Sequence, residues 1–273
     1  MLIWAKIYEC NPNIHPKDLT RLNKFRKYLI FGVILAAGCS STPSSPLTMG
    51  PGGPISIVGP GGSANNYGIV HHKVGPSETL WRISKTYGVD MQTILNANHL
   101  SDPNMIKNGQ TLIIPNAKSP KPVIPLYPSH RWTHIVVHHT ATHQGDAFSI
   151  DQLHHKRGFD NGLGYHFLIN NGTNGKADGQ IQIGPRWVKQ QNGAHANANG
   201  MNDRGIGIAL VGNYSEKRLS AAEFQSLLFL VRTLQEYYGI PSANIIRHGD
   251  VPGKNTECPG LNFPWAEFKS NLR

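Results

Sequence analysis

The chain has 273 residues, with 26 Lys+Arg against 16 Asp+Glu, 14 His and only 3 Cys. A hydrophobic content of 39% excludes wholesale disorder, and three cysteines exclude a disulfide-stapled scaffold. No apolar run reaches the ~20 residues that cross a bilayer, which excludes a polytopic membrane protein. At ~150 residues per domain, the length suits one ordinary domain plus a small module.

Much of the charge sits at the front. Residues 1–38 hold six Lys/Arg and two acids, a net +4 of the +10, leaving +6 for the remainder. No basic helix or patch stands out, so no nucleic-acid partner is expected. Half of the 14 His lie between His130 and His155, a concentration that points to metal or acid–base chemistry.

Lys24-Phe25-Arg26-Lys27, the uncharged stretch from Tyr28 to Gly38 and then Cys39-Ser40-Ser41 have the parts of a secretory signal, which places residues 1–38 in a signal peptide. Leu35-Ala36-Ala37-Gly38-Cys39 resembles a bacterial lipobox, although Ala36 stands where Leu or Val is usual. The resemblance implies lipidation of Cys39 and a membrane attachment by lipid anchor; the plainer reading is a signal peptide with an incidental cysteine. Ser40 after the cysteine resembles lipoproteins sorted to an outer membrane, so the expected location is the cell envelope, facing the periplasm. The stretch before Lys24 is long for a signal, as a start set upstream of the true one would produce. Cys10 then has no role.

Residues 39–69 are rich in Pro, Gly, Ser and Asn and read as a flexible linker. A second linker, 116–130, carries Pro120, Pro122, Pro125 and Pro128 and reads as a stiffer, extended spacer. They divide the chain into a module at 70–115 and a domain at 131–273.

In the module, His72-Lys73-Val74 reads as a short strand. Ser77 can cap a helix with Leu80, Ile83 and Tyr87 at helical spacing, ended by Gly88. Asp90 caps a second helix with Met91, Ile94 and Leu95. Asn108-Gly109 then turns into the strand Gln110 to Pro115. The order is βααβ. Glu78-Thr79-Leu80-Trp81-Arg82-Ile83-Ser84, Tyr87-Gly88-Val89, Asn96-Ala97-Asn98 and Ile106 to Pro115 together resemble a LysM domain. The resemblance implies binding of N-acetylglucosamine-containing glycan between two loops, here about Gly75 to Thr79 and Asn98 to Ile106. Trp81 is open to a sugar-stacking role, but its helical spacing favours core packing.

In the large domain, Trp132 to His139 is a β-branched run that reads as a buried strand. A short helix, Ile150 to Gly158, follows the cap Ser149, and Tyr165 to Asn170 is a second strand. Gly205 to Gly212 is a third, nearly all apolar and hence central. Ser220-Ala221-Ala222-Glu223 is a capping box opening a helix with Phe224, Leu227, Leu228, Val231, Leu234 and Tyr238 on one face, stopped by Gly239 and Pro241. Ile245 to His248 is a fourth strand. Strands interleaved with helices give an α/β domain with a central mixed sheet flanked by helices.

A zinc site needs borderline donors converging from rigid elements, with an open position if it is catalytic. His138 and His248 each end an apolar strand, and Cys258 follows ten residues after His248. By spacing alone a strand-end His is more often a hydrogen-bonded surface residue, and a lone Cys a small buried apolar one.

Further motifs bear on this choice. Ile135-Val136-Val137-His138-His139-Thr140-Ala141, Arg157-Gly158-Phe159, Gly164-Tyr165-His166-Phe167, Gly193-Ala194-His195, Gly205-Ile206-Gly207-Ile208, Gly212-Asn213-Tyr214 and His248-Gly249-Asp250 through Cys258-Pro259-Gly260 fall in order. They are similar to the type 2 zinc N-acetylmuramoyl-L-alanine amidases, a family that includes peptidoglycan recognition proteins and phage amidases. The resemblance implies Zn2+ held by His138, His248 and Cys258, and an active-site tyrosine at Tyr165. It also implies a hydrogen-bond donor at Thr256, where the family has lysine or threonine. The reaction implied is cleavage of the amide between the lactyl group of N-acetylmuramic acid and L-alanine. Peptidoglycan is then the partner twice over, its glycan strand on the LysM module and its stem peptide in the amidase cleft; the protein is expected to be a monomer.

Those residue types suit the chemistry. Tyr165 can position water or donate to an oxyanion, and Thr256 can donate one hydrogen bond to a tetrahedral intermediate. Some relatives place a glutamate on the third strand, where this chain has Ala209. The loop from His248 to Cys258 is two residues longer than in most recognition proteins, which brings in Lys254 and Glu257 as lesser candidates. His139 is placed on the opposite strand face from His138, where lining the substrate groove or bonding a ligand stands even with packing in the core. His195, in a Gly/Asn-rich loop, is placed on the rim as a substrate contact. His134 shares the face of His138 and is a candidate support for it, and Asp250 fixes its loop or orients a ligand. The competing function is a non-catalytic peptidoglycan-recognition protein of the same fold. Binding-only relatives often lose the third ligand, so Cys258 favours catalysis.

Overall fold

A computed structural model describes residues 55–59, 66–129 and 131–272. The signal segment 1–38, Cys10 and the lipidation candidate Cys39 lie outside the described residues. No helix among the described residues is long and apolar enough to cross a membrane.

The chain opens with β1 (Ile55–Val58) and β2 (Asn66–Lys73), followed by α1 (Leu80–Tyr87) and α2 (Met91–Ala97). Next come β3 (Thr111–Lys118) and β4 (Val123–Leu126). β2 and β3 pair antiparallel, and the helices close over them around Leu80, Ile83, Ile94, Leu112 and Ile114. Thr79, rather than Ser77, caps α1 through its side-chain oxygen, and Gly88 ends the helix in the left-handed region at φ 61°. Trp81 does not join this core. Leu80, Ile83, Ser84 and Tyr87 form the inward face of α1, leaving Trp81 36% exposed with the Lys85 ammonium 6.0 Å from its ring centroid.

Both expected linkers are partly built into the fold. Ile55–Val58 pairs antiparallel with Val123–Leu126, and Ile124 and Leu126 enter the core of the large domain. The carbonyl of Pro125 accepts a 2.7 Å hydrogen bond from the buried Trp187 indole. Composition weighed the prolines and glycines; the short apolar runs Ile-Ser-Ile-Val and Val-Ile-Pro-Leu between them were enough to pair and bury. β2 and β3 likewise run beyond the module boundaries at 70 and 115.

The large domain continues with β5 (His134–His139), α3 (Ala147–Lys156), β6 (Phe167–Asn171) and β7 (Asp178–Ile183). Then follow α4 (Pro185–Val188), α5 (Met201–Arg204), β8 (Gly205–Leu210), α6 (Ala221–Tyr238), β9 (Ile245–Arg247) and α7 (Trp265–Ser270). The sheet order is β7-β6-β8-β5-β9, parallel except for the antiparallel β6–β7 edge. β8 is central and buried along its whole length, as a strand covered on both faces must be. α6 starts at the Ser220/Glu223 capping box and packs Leu227, Leu230, Val231 and Leu234 into the core. α3 begins earlier than its Ser149 suggests: Asp146 is the cap, and Ser149 bonds back to it from the third helical position.

A buried polar junction joins the module to the domain. His72 Nδ1 meets the Tyr87 hydroxyl at 2.9 Å, and its Nε2 meets Glu78 Oε2 at 2.9 Å. The Gly75 N–H donates to the same carboxylate oxygen at 2.8 Å. From the domain, Lys176 Nζ donates to the Lys73 carbonyl at 2.7 Å. Burial alone would raise the Glu78 pKa, but attraction to His72 and Lys176 and the hydrogen bonds from His72 and Gly75 outweigh it and pull it down to about 2. Gly75 and Pro76 are buried, so one of the two glycan loops implied by the resemblance leans on the domain, while most of the other, 98–106, is exposed.

Candidate metal and active site

The parallel sheet assembles the site. β5 pairs with β9 through Val137 opposite Arg247, which brings His248, the next residue, beside His138; their ring centroids are 4.5 Å apart. The loop after His248 doubles back so that the Gly249 N–H donates to the Cys258 carbonyl at 3.0 Å. This places Cys258 Sγ 3.8 Å from His138 Nδ1, where it also accepts the His139 N–H at 3.3 Å. One donor atom from each of His138, His248 and Cys258 lies within 4.8 Å of the other two.

Hydrogen bonding decides which ring nitrogens are free. His195 Nε2 lies 3.1 Å from the Gly205 carbonyl, which can only accept, so Nε2 carries the proton and Nδ1 is an acceptor. That Nδ1 is 3.0 Å from His138 Nε2, which must therefore donate, leaving the lone pair on His138 Nδ1 facing Cys258. His248 bonds the backbone of Ala196, and its Nε2 is buried with no hydrogen-bond partner.

Electrostatics agree. Burial, then the neighbouring histidines, hold His138 well below the ordinary imidazole pKa; burial, then Lys254, lowers His248. Burial pushes the Cys258 thiol up to about 12, against the His139 N–H. Buried polar atoms are normally paired, and an orphan costs stability. Two neutral imidazole lone pairs and one thiol converging on a common point fit a tetrahedral nitrogen/sulfur metal such as zinc.

Tyr165 adjoins this cluster, its ring centroid 5.3 Å from His138 and 5.5 Å from His154. Burial is the largest cause raising its pKa, with Cys258 nearby adding to it against Arg157, so the phenol keeps its proton. Thr256 is exposed and accepts the Cys258 N–H on Oγ1 at 3.2 Å, which leaves its own O–H to donate outward. Glu257 is held by the Ser215 hydroxyl at 2.9 Å. Ala209 is buried opposite His138, so no carboxylate stands at that register position. His139 is half-buried and accepts the Tyr214 N–H on Nδ1 at 3.3 Å. Asp250 grips the Arg247 guanidinium, with contacts of 2.7–3.1 Å, and fixes the loop. His134 bonds its neighbour Thr133, four residues along the strand from His138.

His195 departs from expectation. Instead of standing on the rim it is buried behind His138, 8% exposed. Its ring occupies space that a Cβ on Gly193 or Gly207 would fill, which is why both positions are glycine. The Gly/Asn composition reads as an open loop, and the folding back of that loop comes from Asn202, a residue with no motif to announce it.

The fold and site define an α/β domain with a two-histidine, one-cysteine cluster at the C-terminal ends of parallel strands. The N-acetylmuramoyl-L-alanine amidase family model matches residues 128–261, and the LysM model residues 72–115. Peptidoglycan-recognition protein SC2 of Drosophila melanogaster is 30% identical over 146 residues, covering 50% of this chain and 73% of that protein. Among solved structures, the endolysin N-acetylmuramoyl-L-alanine amidase LysCS of Clostridium intestinale is 38% identical, with a TM-score of 0.45, covering 52% of this chain and 86% of that one. N-acetylmuramoyl-L-alanine amidase LysC of the same organism is 37% identical, with a TM-score of 0.44, covering 53% and 90%. The chain belongs to the N-acetylmuramoyl-L-alanine amidase family and carries a LysM domain ahead of its amidase domain.

Proposed function

We propose that the protein is a zinc-dependent peptidoglycan hydrolase that cleaves the amide between N-acetylmuramic acid and the L-alanine of the stem peptide, with the LysM domain holding the glycan. The observation that carries the reading is the convergence of one donor atom from each of His138, His248 and Cys258 beside Tyr165. His138, His248 and Cys258 would hold the zinc, which when bound lowers the pKa of water towards ~7 and polarises the scissile carbonyl. Tyr165, kept neutral by burial, donates its O–H to the carbonyl oxygen as negative charge develops there. Thr256 offers a second donor, oriented by the Cys258 N–H bonded to its oxygen. With Ala209 at the third-strand position, no side chain there takes the water's proton. Attachment of the mature chain to the envelope through a lipid on Cys39, on the periplasmic side of an outer membrane, belongs to the same reading. A Cys39→Ala variant is then recovered in the soluble rather than the membrane fraction.

Defined muropeptides incubated with zinc-loaded protein test the activity by mass spectrometry. Free stem peptide appears, and chelator abolishes it. Glycopeptide that binds but stays intact would overturn the reading in favour of peptidoglycan recognition without catalysis.

A further inference from the structure

One loop grips both histidines of the cluster. Asn202, in the first turn of α5, accepts on its single Oδ1 the backbone N–H groups of His195 at 3.0 Å, Ala196 at 2.9 Å and Asn197 at 3.3 Å. Its own carbonyl accepts the Gly193 N–H at 2.8 Å. These four bonds fold the segment from Gly193 to Asn202 back on itself, with Ala196 and Met201 packed against Val136. From that segment the His195 ring reaches His138 Nε2, and the Ala196 backbone holds His248. The His195 contact engages the His138 nitrogen that is not turned toward Cys258.

We infer that Asn202 and His195 are positioning residues for the metal site: Asn202 ties the loop, His195 fixes the tautomer and ring angle of His138, and the Ala196 backbone braces His248. The inference rests on the reading of His138, His248 and Cys258 as a zinc site. The physical argument is that a neutral imidazole binds a metal through one nitrogen with the proton on the other, and an acceptor for that proton fixes the tautomer and ring angle and strengthens binding. Both acceptors come from adjacent residues of a loop with one side-chain tie, so loss of that tie loosens two ligands together. Cys258 is oriented from elsewhere, by the His139 N–H and the Gly249 turn, and is untouched by the loop.

Zinc affinity of the full chain, measured by competition with a chromophoric chelator, and the absorption of the cobalt-substituted protein test this. Asn202→Ala weakens zinc binding by ~10–100-fold and alters the cobalt d–d bands. Asn202→Asp, which keeps an acceptor oxygen at the same place, restores both. His195→Phe behaves like Asn202→Ala, while His195→Asn, with an oxygen where Nδ1 stood, recovers most of the affinity. This second pair decides the matter if Asn202→Ala does not fold. Wild-type affinity and spectrum in Asn202→Ala, with only the chelator-treated protein melting lower, would reduce the loop to a structural part and overturn the inference. Failure of the wild-type chain to bind zinc or cobalt at all would instead bring down the zinc reading on which it stands.

Discussion

At the junction of the LysM and amidase domains, His72, Glu78, Tyr87 and Lys176 satisfy one another, with both His72 nitrogens engaged and the Glu78 carboxylate accepting two hydrogen bonds. At the end of β5 the chemistry is just as buried, yet His248 Nε2 has no partner and the Cys258 thiol is held far from ionisation. A closed network gains its stability from the chain itself and has nothing left to offer a ligand. An open one carries a standing cost that only an added group can offset. Saturation of the hydrogen-bonding capacity, more than burial or residue type, separates the two clusters.

The contrast can be broken at either end. Cys258→Ser at the open cluster lowers stem-peptide release by ~10³-fold, while the unfolding free energy of the chelator-treated protein changes by less than ~1 kcal/mol. An equal fall in apo-protein stability would mean that the cluster is structural after all. The closed cluster responds in the opposite sense. Glu78→Ala leaves His72 Nε2 and the Gly75 N–H without their acceptor and costs about 3 kcal/mol of stability, with zinc affinity unchanged.

Acidity sharpens the same point. Because the Glu78 pKa is depressed from 4.5 to about 2, its stabilisation is complete above pH 4.5 and is lost as the pH falls through about 2. Acid unfolding curves of Glu78→Gln, which cannot titrate there, lack that part of the slope; an identical slope in the variant would remove Glu78 from the account. The smallest effect is a chemical one confined to the open side. On the proposed reading, in which the phenol donates to the reacting oxygen and holds no metal, Tyr165→Phe lowers kcat by ~10²-fold with zinc affinity intact. A loss of metal in that variant would give the tyrosine a different role.

Local signals announced the elements whose signals are local. The Ser220/Glu223 capping box and Gly239 bracket α6 at Ala221 and Tyr238, and the apolar run from Gly205 marked β8 as central. Other features depend on distant partners and were not legible. β1 and β4 are four-residue runs among prolines and glycines, and become strands only through each other and the Trp187 indole. β7, Asp-Gly-Gln-Ile-Gln-Ile, carries too few apolar residues to stand out, and is an edge strand fixed by β6. Trp81 sits one residue along from the inward-facing Leu80, and helical spacing alone does not tell which side of that face it takes.

The candidate site divides along the same line. His138, His248 and Cys258 were nominated by motif and donor chemistry, because strand ends and loop lengths are written in order along the chain. His195 was nominated for the wrong place, because nothing in Gly193-Ala194-His195 tells whether the loop opens to solvent or folds under the sheet. By itself, then, the sequence determined which donor atoms this protein has to offer and on which elements they ride, since propensity, capping and periodicity act between near neighbours. Which nitrogen of His138 faces the cluster was decided only in three dimensions, where His195, its own proton held by the Gly205 carbonyl and its loop tied at Asn202, accepts a hydrogen bond from the other nitrogen.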